Sequence, residues 1–124
     1  MLIVAVKNTS GSTISAGQVV YQTDYLRPQQ LPIVALASAA AISTAEVLGI
    51  CVWDIADNET GPIAVSGDVY PIDTSAFSAI NDKVYLSDTP GAISATSGTV
   101  PAVIGTVKVV GAAGTINTTG TIDH

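Results

Sequence analysis

The side chains that could carry out chemistry are few and lie far apart along the chain. Its one histidine is His124 and its one cysteine is Cys51, which lies within the apolar stretch LGICVW. Catalysis by Ser-His-Asp or Cys-His groups needs a histidine that a third residue orients, and zinc sites need several His or Cys ligands. These residue types therefore predict neither a catalytic triad nor a zinc site, and Cys51 is predicted to be an ordinary buried thiol.

Carboxylates form the one cluster of potential metal ligands, in the segment WDIADNETG. Asp54, Asp57 and Glu59 could offer oxygen ligands to Ca²⁺, but they lack the alternating spacing and the distal glutamate of a calcium loop. We favour the alternative, a solvated hairpin tip. Glycoside hydrolysis would need a defined carboxylate pair, and nothing in the sequence singles one out. The acidic candidates for such a pair are Asp54, Glu59, Asp68 and Asp73. We expect no enzymatic activity and no cofactor.

Charge is scarce along the whole chain. Only 11% of the residues are charged, against about 25% in an average soluble domain. The net charge is −6, and the cations are Lys7, Arg27, Lys83 and Lys108. Binding to phosphates needs clustered Lys and Arg, so we expect neither nucleic acid nor an anionic membrane as a partner. A surface with so little charge either relies on hydroxyl groups for solubility or is covered by another protein, and we favour the second.

Two apolar stretches could be mistaken for targeting or membrane segments. Residues 31–53 include Pro32 and Glu46, so they lack the roughly 20 predominantly apolar residues of a membrane-spanning helix. The opening stretch MLIVAVKNTS has no basic leader, and its apolar run is too short for a signal peptide. We therefore expect synthesis in the cytoplasm and no membrane partner.

Strand signals dominate the elements that must position these residues. Runs rich in Val, Ile and Tyr alternate with turn signals about every 8–12 residues, which predicts one all-β domain over residues 1–124, as a barrel or a sandwich. Helix is limited to one or two short turns, in SAAAISTAEV and TSAFSAI. The segment GPIAVSGDVYPID is predicted to hold two short strands separated by Ser66 and Gly67.

The two ends of the domain are less defined. Residues 1–11 are either an arm that adds a strand to the sheet edge of a neighbour or an ordinary first strand. Residues 111–124 are expected to form a C-terminal strand or tail.

Two parts of the sequence repeat each other. VVYQTD (19–24) aligns with KVYLSD (83–88), and VLGICVWDIADNETG (47–61) aligns with VIGTVKVVGAAGTIN (103–117). This suggests two copies of one β-meander packed about a pseudo-two-fold axis. Gly49 and Gly105 would then be equivalent positions where a strand bends or another backbone approaches closely.

The order of several phrases resembles that of a known group of proteins. These are ISAGQVVY, LPIVALAS, AEVLGICVWDIADNETGPIAVSGDV, IDTSAFSAINDKVYLSDTPGAIS and VIGTVKV, within residues 12–110. Together they resemble the capsid decoration proteins of tailed phages, which stabilise the head and have a β-tulip-like fold. The region before Ser12 and the tail from Gly111 to His124 match no pattern of that group.

The resemblance implies a structural protein of the virion, on the exterior of the capsid. Such proteins form homotrimers at three-fold and quasi-three-fold axes, bind the major capsid protein and brace the shell against the pressure of internal DNA. The alternatives are a module of the tail, baseplate or fibre, and a carbohydrate- or receptor-binding β-sandwich with an exposed Trp53 or Tyr cluster in a cleft. Interface residues are expected among Tyr, Trp, Arg and apolar side chains. Our candidates are Leu2, Ile3, Val4, Tyr21, Tyr25, Arg27 and Trp53.

Overall fold

The computed structural model describes residues 2–28 and 30–118, and these ranges fold almost entirely into strands. The strands are β1 (Leu2–Asn8), β2 (Val19–Leu26), β3 (Leu31–Leu36), β4 (Val47–Cys51), β5 (Thr60–Ile72), β6 (Lys83–Leu86), β7 (Ile93–Ser94), β8 (Val103–Val109) and β9 (Gly114–Thr118). Helix is confined, in the described ranges, to one 3-10 turn at Ile42–Thr44. The predicted all-β class is confirmed, whereas the β-tulip-like variant stays a prediction.

Five of the strands close into a ring, which we call the barrel. Its order is β1-β3-β2-β4-β5, and β5 pairs with β1 to close it. All of these pairings are antiparallel except β1 with β3, which is parallel and places Lys7 opposite Ile33. Residues 2–8 are thus the first strand of the chain's own barrel, the second of the two alternatives for that segment.

The remaining strands continue the sheet beyond the barrel, in the order β5-β9-β8-β6-β7. The predicted break at Ser66 and Gly67 is wrong, because β5 runs through it as one strand of 13 residues. Its partners change there instead. Residues up to Ser66 pair with β1 and β4, and residues from Gly67 pair with β9. We call residues 2–66 the first half and residues 67–118 the second half.

Two apolar cores fill the structure. The barrel interior holds the buried side chains of Val6, Ile14, Val20, Val34, Cys51, Ile55, Ile63 and Val65. The second core joins the halves: it contains the second-half residues Val84, Val107 and Ile116 together with Val19, Ile50 and Ala64 on the outer face of the barrel. Because successive strand residues point to opposite faces, β4 and residues 63–65 of β5 bury both faces, whereas Ile3 and Ala5 of β1 stay exposed. The predicted burial of Cys51 is confirmed.

The strand register of the first half recurs in the second. Val20 pairs with Gly49 as Val84 pairs with Gly105, and Tyr21 pairs with Val47 as Tyr85 pairs with Val103. The predicted repeated meander is therefore present in the strand pairing.

The repeat extends to the loops and to the glycines. The N–H of Gly17 donates to the carbonyl oxygen of Cys51 at 2.7 Å, and the N–H of Asn81 donates to that of Val107 at 2.7 Å. Both donors have positive φ, 90° and 70°. A Cβ at Gly49 or Gly105 would meet the carbonyl oxygen of the adjacent strand. The close approach predicted at these two glycines is thus confirmed.

Candidate interaction surface

The predicted interface residues of β1 differ in exposure. Leu2 and Ile3 are 58% and 42% exposed. Val4 is half-buried and packs against the barrel interior. Leu2 and Ile3 therefore remain available for contact with another molecule, while Val4 mainly serves the barrel core.

The hairpin that joins β2 and β3 carries two more candidates. Tyr25 is 43% exposed, and Arg27 is exposed at the tip. The N–H of Gln30 donates to the carbonyl oxygen of Arg27 at 3.2 Å, and Pro28 follows Arg27, as in a tight turn. Tyr21 lies near the other end of β2, half-buried against the second core. The described residues of the hairpin tip are thus exposed, and Tyr21 is largely a packing residue.

The barrel brings Leu2 and Ile3 to the same end as this hairpin tip. Because β1 and β3 are parallel and Lys7 lies opposite Ile33, the start of β1 is level with the turn that precedes Leu31. We call Leu2, Ile3, Tyr25 and Arg27 the barrel rim. Three apolar side chains and one cation therefore face solvent at one end of the barrel.

Trp53 lies at the opposite end of the barrel and is 72% exposed. It follows Cys51, which ends β4 opposite Ile63, whereas Leu2 lies opposite Ser66. The thiol of Cys51 donates to the carbonyl oxygen of Trp53 at 2.6 Å. Burial is the main cause that raises the pKa of this thiol to about 11, so the thiol stays protonated at neutral pH. The seven candidates therefore do not form one surface.

The acidic segment after Trp53 holds loops in place. The carboxylate of Asp54 accepts the N–H of Ala16 at 2.8 Å, and that of Asp57 accepts the N–H of Gly11 at 2.9 Å. The described residues contain no group of three His, Cys, Asp or Glu that could hold a metal ion. This arrangement agrees with a solvated hairpin tip whose carboxylates bond to neighbouring amides.

The carboxylates considered for glycoside hydrolysis lie in different places. Asp68 accepts the side-chain amide of Asn117 at 2.8 Å on the outer face of the second half. Asp73 follows the end of β5, and Asp54 lies in the loop after Trp53. Their positions show no paired arrangement. In the part of the chain that the structure describes, no helix is both long and apolar enough to cross a membrane.

A cleft of about 450 Å³ opens between the halves. It is lined by residues 16–18, which precede β2, by residues 71–73 at the end of β5, and by residues 89–93, which lead into β7. In the first half, the corresponding position is the seam where Lys7 and Asn8 of β1 pair with Ile33 and Val34 of β3. Within the described ranges β5 and β7 do not pair. The cleft is therefore the seam that stays open in the second copy of the meander.

A similar turn follows β1 in the first half and β5 in the second. Asn8 accepts the N–H and the hydroxyl of Ser10 at 3.0 and 2.7 Å. Asp73 accepts the N–H and the hydroxyl of Ser75 at 3.0 and 2.6 Å. These turns have the sequences NTS and DTS, the signal that could have revealed the seam before the structure. Hydrogen bonds from Ser75 lower the pKa of Asp73, so its carboxylate stays charged.

Two polar groups in the cleft have no partner among the described residues. The side-chain oxygen of Gln18 accepts the N–H of Ser15 at 2.8 Å, which leaves its NH₂ group free. One oxygen of Asp73 accepts both bonds from Ser75, and the other is free.

The outer edge of β7 faces the same space. The N–H of Ser87 donates to the carbonyl oxygen of Ala92 at 3.0 Å. The next pair along this antiparallel ladder is Leu86 with Ile93. Because bonded and non-bonded pairs alternate along such a ladder, Ile93 directs its N–H and C=O away from β6. The N–H of Leu86 accordingly donates to Ala102 on its other side, at 2.9 Å. The cleft therefore offers hydrogen-bond donors and acceptors, from both the backbone and the side chains.

No protein-family model matches the sequence, and no curated protein matches it.

Proposed function

We propose that this chain is a structural protein of a tailed-phage virion, which binds the outer surface of the capsid as a homotrimer and stabilises the head. The major capsid protein is its partner, at three-fold and quasi-three-fold sites. This proposal rests on the order of phrases shared with capsid decoration proteins and on the surface described above. It assigns the chain no catalytic residue and no cofactor.

The observation that carries the proposal is the barrel rim. Leu2 and Ile3 expose apolar surface at one end of the barrel, and Tyr25 is exposed on β2, two strands from β1. Apolar groups that face solvent in a cluster commonly mark a protein interface. Tyr and Arg, which the hairpin tip presents, are also among the commonest residues in binding hot spots, whether with the shell or with another copy of the chain.

The construction of the barrel also supports a bracing role. A closed ring has no free strand edge, and its interior is filled with buried apolar side chains, so the rim is presented on a packed support. Three linked copies of a modest contact gain avidity when all three bind at once. Because the rim carries one charge, its binding to the shell should also depend little on ionic strength.

Co-sedimentation with purified expanded heads tests the proposal. We expect the wild-type protein to sediment with the heads, and Leu2→Ser and Ile3→Ser together to weaken this binding by about tenfold or more. Val103→Ser is the matched control. Val103 is also a branched apolar residue and is 47% exposed, but it lies in the second half. A wild-type protein that ignores heads, or one whose binding survives loss of both rim residues, contradicts the proposal.

One observation favours a second candidate, a carbohydrate- or receptor-binding module. Trp53 is exposed at the far end of the barrel from the rim, where its ring could stack on a sugar. However, Trp53 does not line the cleft, whose lining contains no aromatic residue. A glycan array distinguishes the two: hits that disappear in Trp53→Ala support this candidate. Binding to purified tails but not heads would instead support a tail or baseplate module.

A further inference from the structure

The open seam of the second half and the hairpin tip of the barrel have complementary charges. Asp73 is the one charged residue among those that line the cleft, and one of its oxygens is free. Arg27 is exposed at the tip of a tight turn, where it can enter a cleft. Lys83 and Lys108, by contrast, lie within the strands β6 and β8.

The hairpin of a chain cannot enter its own cleft. The floor of the cleft includes Gln18, and Arg27 lies beyond the far end of β2. The eight residues of β2 span roughly 26 Å at about 3.3 Å per residue. A contact between Arg27 and Asp73 therefore has to join two copies of the chain.

We propose that the hairpin tip of one copy, with Arg27 at its head, docks into the cleft of the next copy beside Asp73. The guanidinium binds the free oxygen of the Asp73 carboxylate and has further donors for the carbonyl oxygen of Ile93. The NH₂ group of Gln18 binds a backbone carbonyl of the incoming turn. This inference rests on the proposed trimer and names the contact that builds it.

Such a contact uses two different surfaces, so it is heterologous and joins the copies head to tail. Repeated three times around one axis, it closes a ring in which each copy gives one hairpin and receives another. The seam that the first half closes with its own β1 is then filled in the second half by a neighbouring subunit. This accounts for the lack of pairing between β5 and β7 in the described ranges.

Charge reversal with measurement of molar mass by light scattering tests this contact. We expect the mass of three chains for the wild-type protein. Arg27→Glu and Asp73→Arg should each raise the dissociation constant by about tenfold or more, because like charges then face each other. The double variant Arg27→Glu with Asp73→Arg should restore association, since it restores an opposite-charge pair. Lys108→Glu, an exposed cation on β8, is the control and should leave the mass unchanged.

A milder variant keeps the test valid if Asp73→Arg fails to fold. Asp73→Asn removes the charge but can still accept the bonds of Ser75, as Asn8 does with Ser10 in the first half. It should weaken association while its circular dichroism stays unchanged. A monomeric wild-type protein, or a trimer that survives both single reversals, overturns the inference. Binding to heads is scored separately: a trimer that depends on Arg27 and ignores heads would contradict the proposed function alone.

Discussion

The two halves of this protein share one meander but bury it differently. In the first half β2, β4 and β5 are covered on both faces where they meet the second half: Val20, Cys51 and Ile63 fill the barrel, while Val19, Ile50 and Ala64 pack against the second half. In the second half only one face is buried. The positions that correspond to the outer face of the barrel are Lys83, Thr106 and Asn117, which are exposed or half-exposed.

The difference shows how one strand pattern serves two environments. Strands that are buried on both faces are continuously apolar, as in LGIC and PIAV, whereas strands with one wet face alternate, as in TVKV and TINT. The half with both faces buried also closes its ring. The second half, which has one solvent-exposed face, leaves a seam open. The proposed contact with a neighbouring subunit lies at this seam.

Among the proposed variants, exchanging equivalent residues between the halves should change the free energy of unfolding most. Ala64 is fully buried, and Asn117 is its half-exposed counterpart. Ala64→Asn should lower the free energy of unfolding by about 3–5 kcal/mol, because it overpacks the core and buries an amide without a partner. Asn117→Ala should change it by less than about 1 kcal/mol. Urea unfolding measures both, and equal effects would contradict the assigned difference between the faces.

The two glycines at equivalent positions of the repeat test how similar the halves are. Gly49→Ala and Gly105→Ala should each destabilise the fold by about 1–3 kcal/mol, since the new Cβ meets a backbone oxygen that cannot move freely. Gly11→Ala is a control in open space, although its positive φ of 93° adds some strain. A neutral result at one glycine and a large loss at the other would break the proposed equivalence.

Hydrogen exchange should separate the closed seam from the open one. In the isolated subunit, amides of β7 should exchange about tenfold faster than those of β3, because β7 has two residues and a free outer edge while β3 pairs on both sides. Mass spectrometry of the fragments that contain each strand measures this. Equal protection would mean that the seam is closed in solution.

The turns before the two seams should differ in their response to acid. Asp73 has a lowered pKa in the folded protein, so its stabilising effect is present above the unfolded pKa near 3.8 and is lost as the pH falls through the folded pKa. Asn8, which makes the same two bonds with Ser10, does not titrate. Asp73→Asn should therefore make unfolding slightly less dependent on pH below about pH 5. The urea midpoint between pH 5 and 2 checks this, and an unchanged slope would count against the bond to Ser75.

Much of the fold was predictable because its signals are local. Apolar runs with turns between them indicate strands, and the recurring Val-Tyr and Val-Leu/Ile-Gly phrases indicate the repeat. The strand break at Ser66 and Gly67 was predicted wrongly because β9 continues the ladder where β1 and β4 leave it, a non-local effect.

The candidate surface was less predictable for the same reason. The barrel brings the start of β1 beside the hairpin tip and carries Trp53 to the other end, and neither placement follows from spacing along the chain. Tyr21 looked like an interface residue by its type, but it packs against the second core. The open seam depends on whether two distant strands meet, which no short pattern reports.

Electron microscopy of expanded heads incubated with the purified protein tests the central claim most directly. We predict added density on the outer surface, with three copies around each three-fold and quasi-three-fold axis, the rim residues Leu2 and Ile3 toward the shell and each hairpin in the cleft of its neighbour. Bare shells, or density confined to the tail, would contradict it.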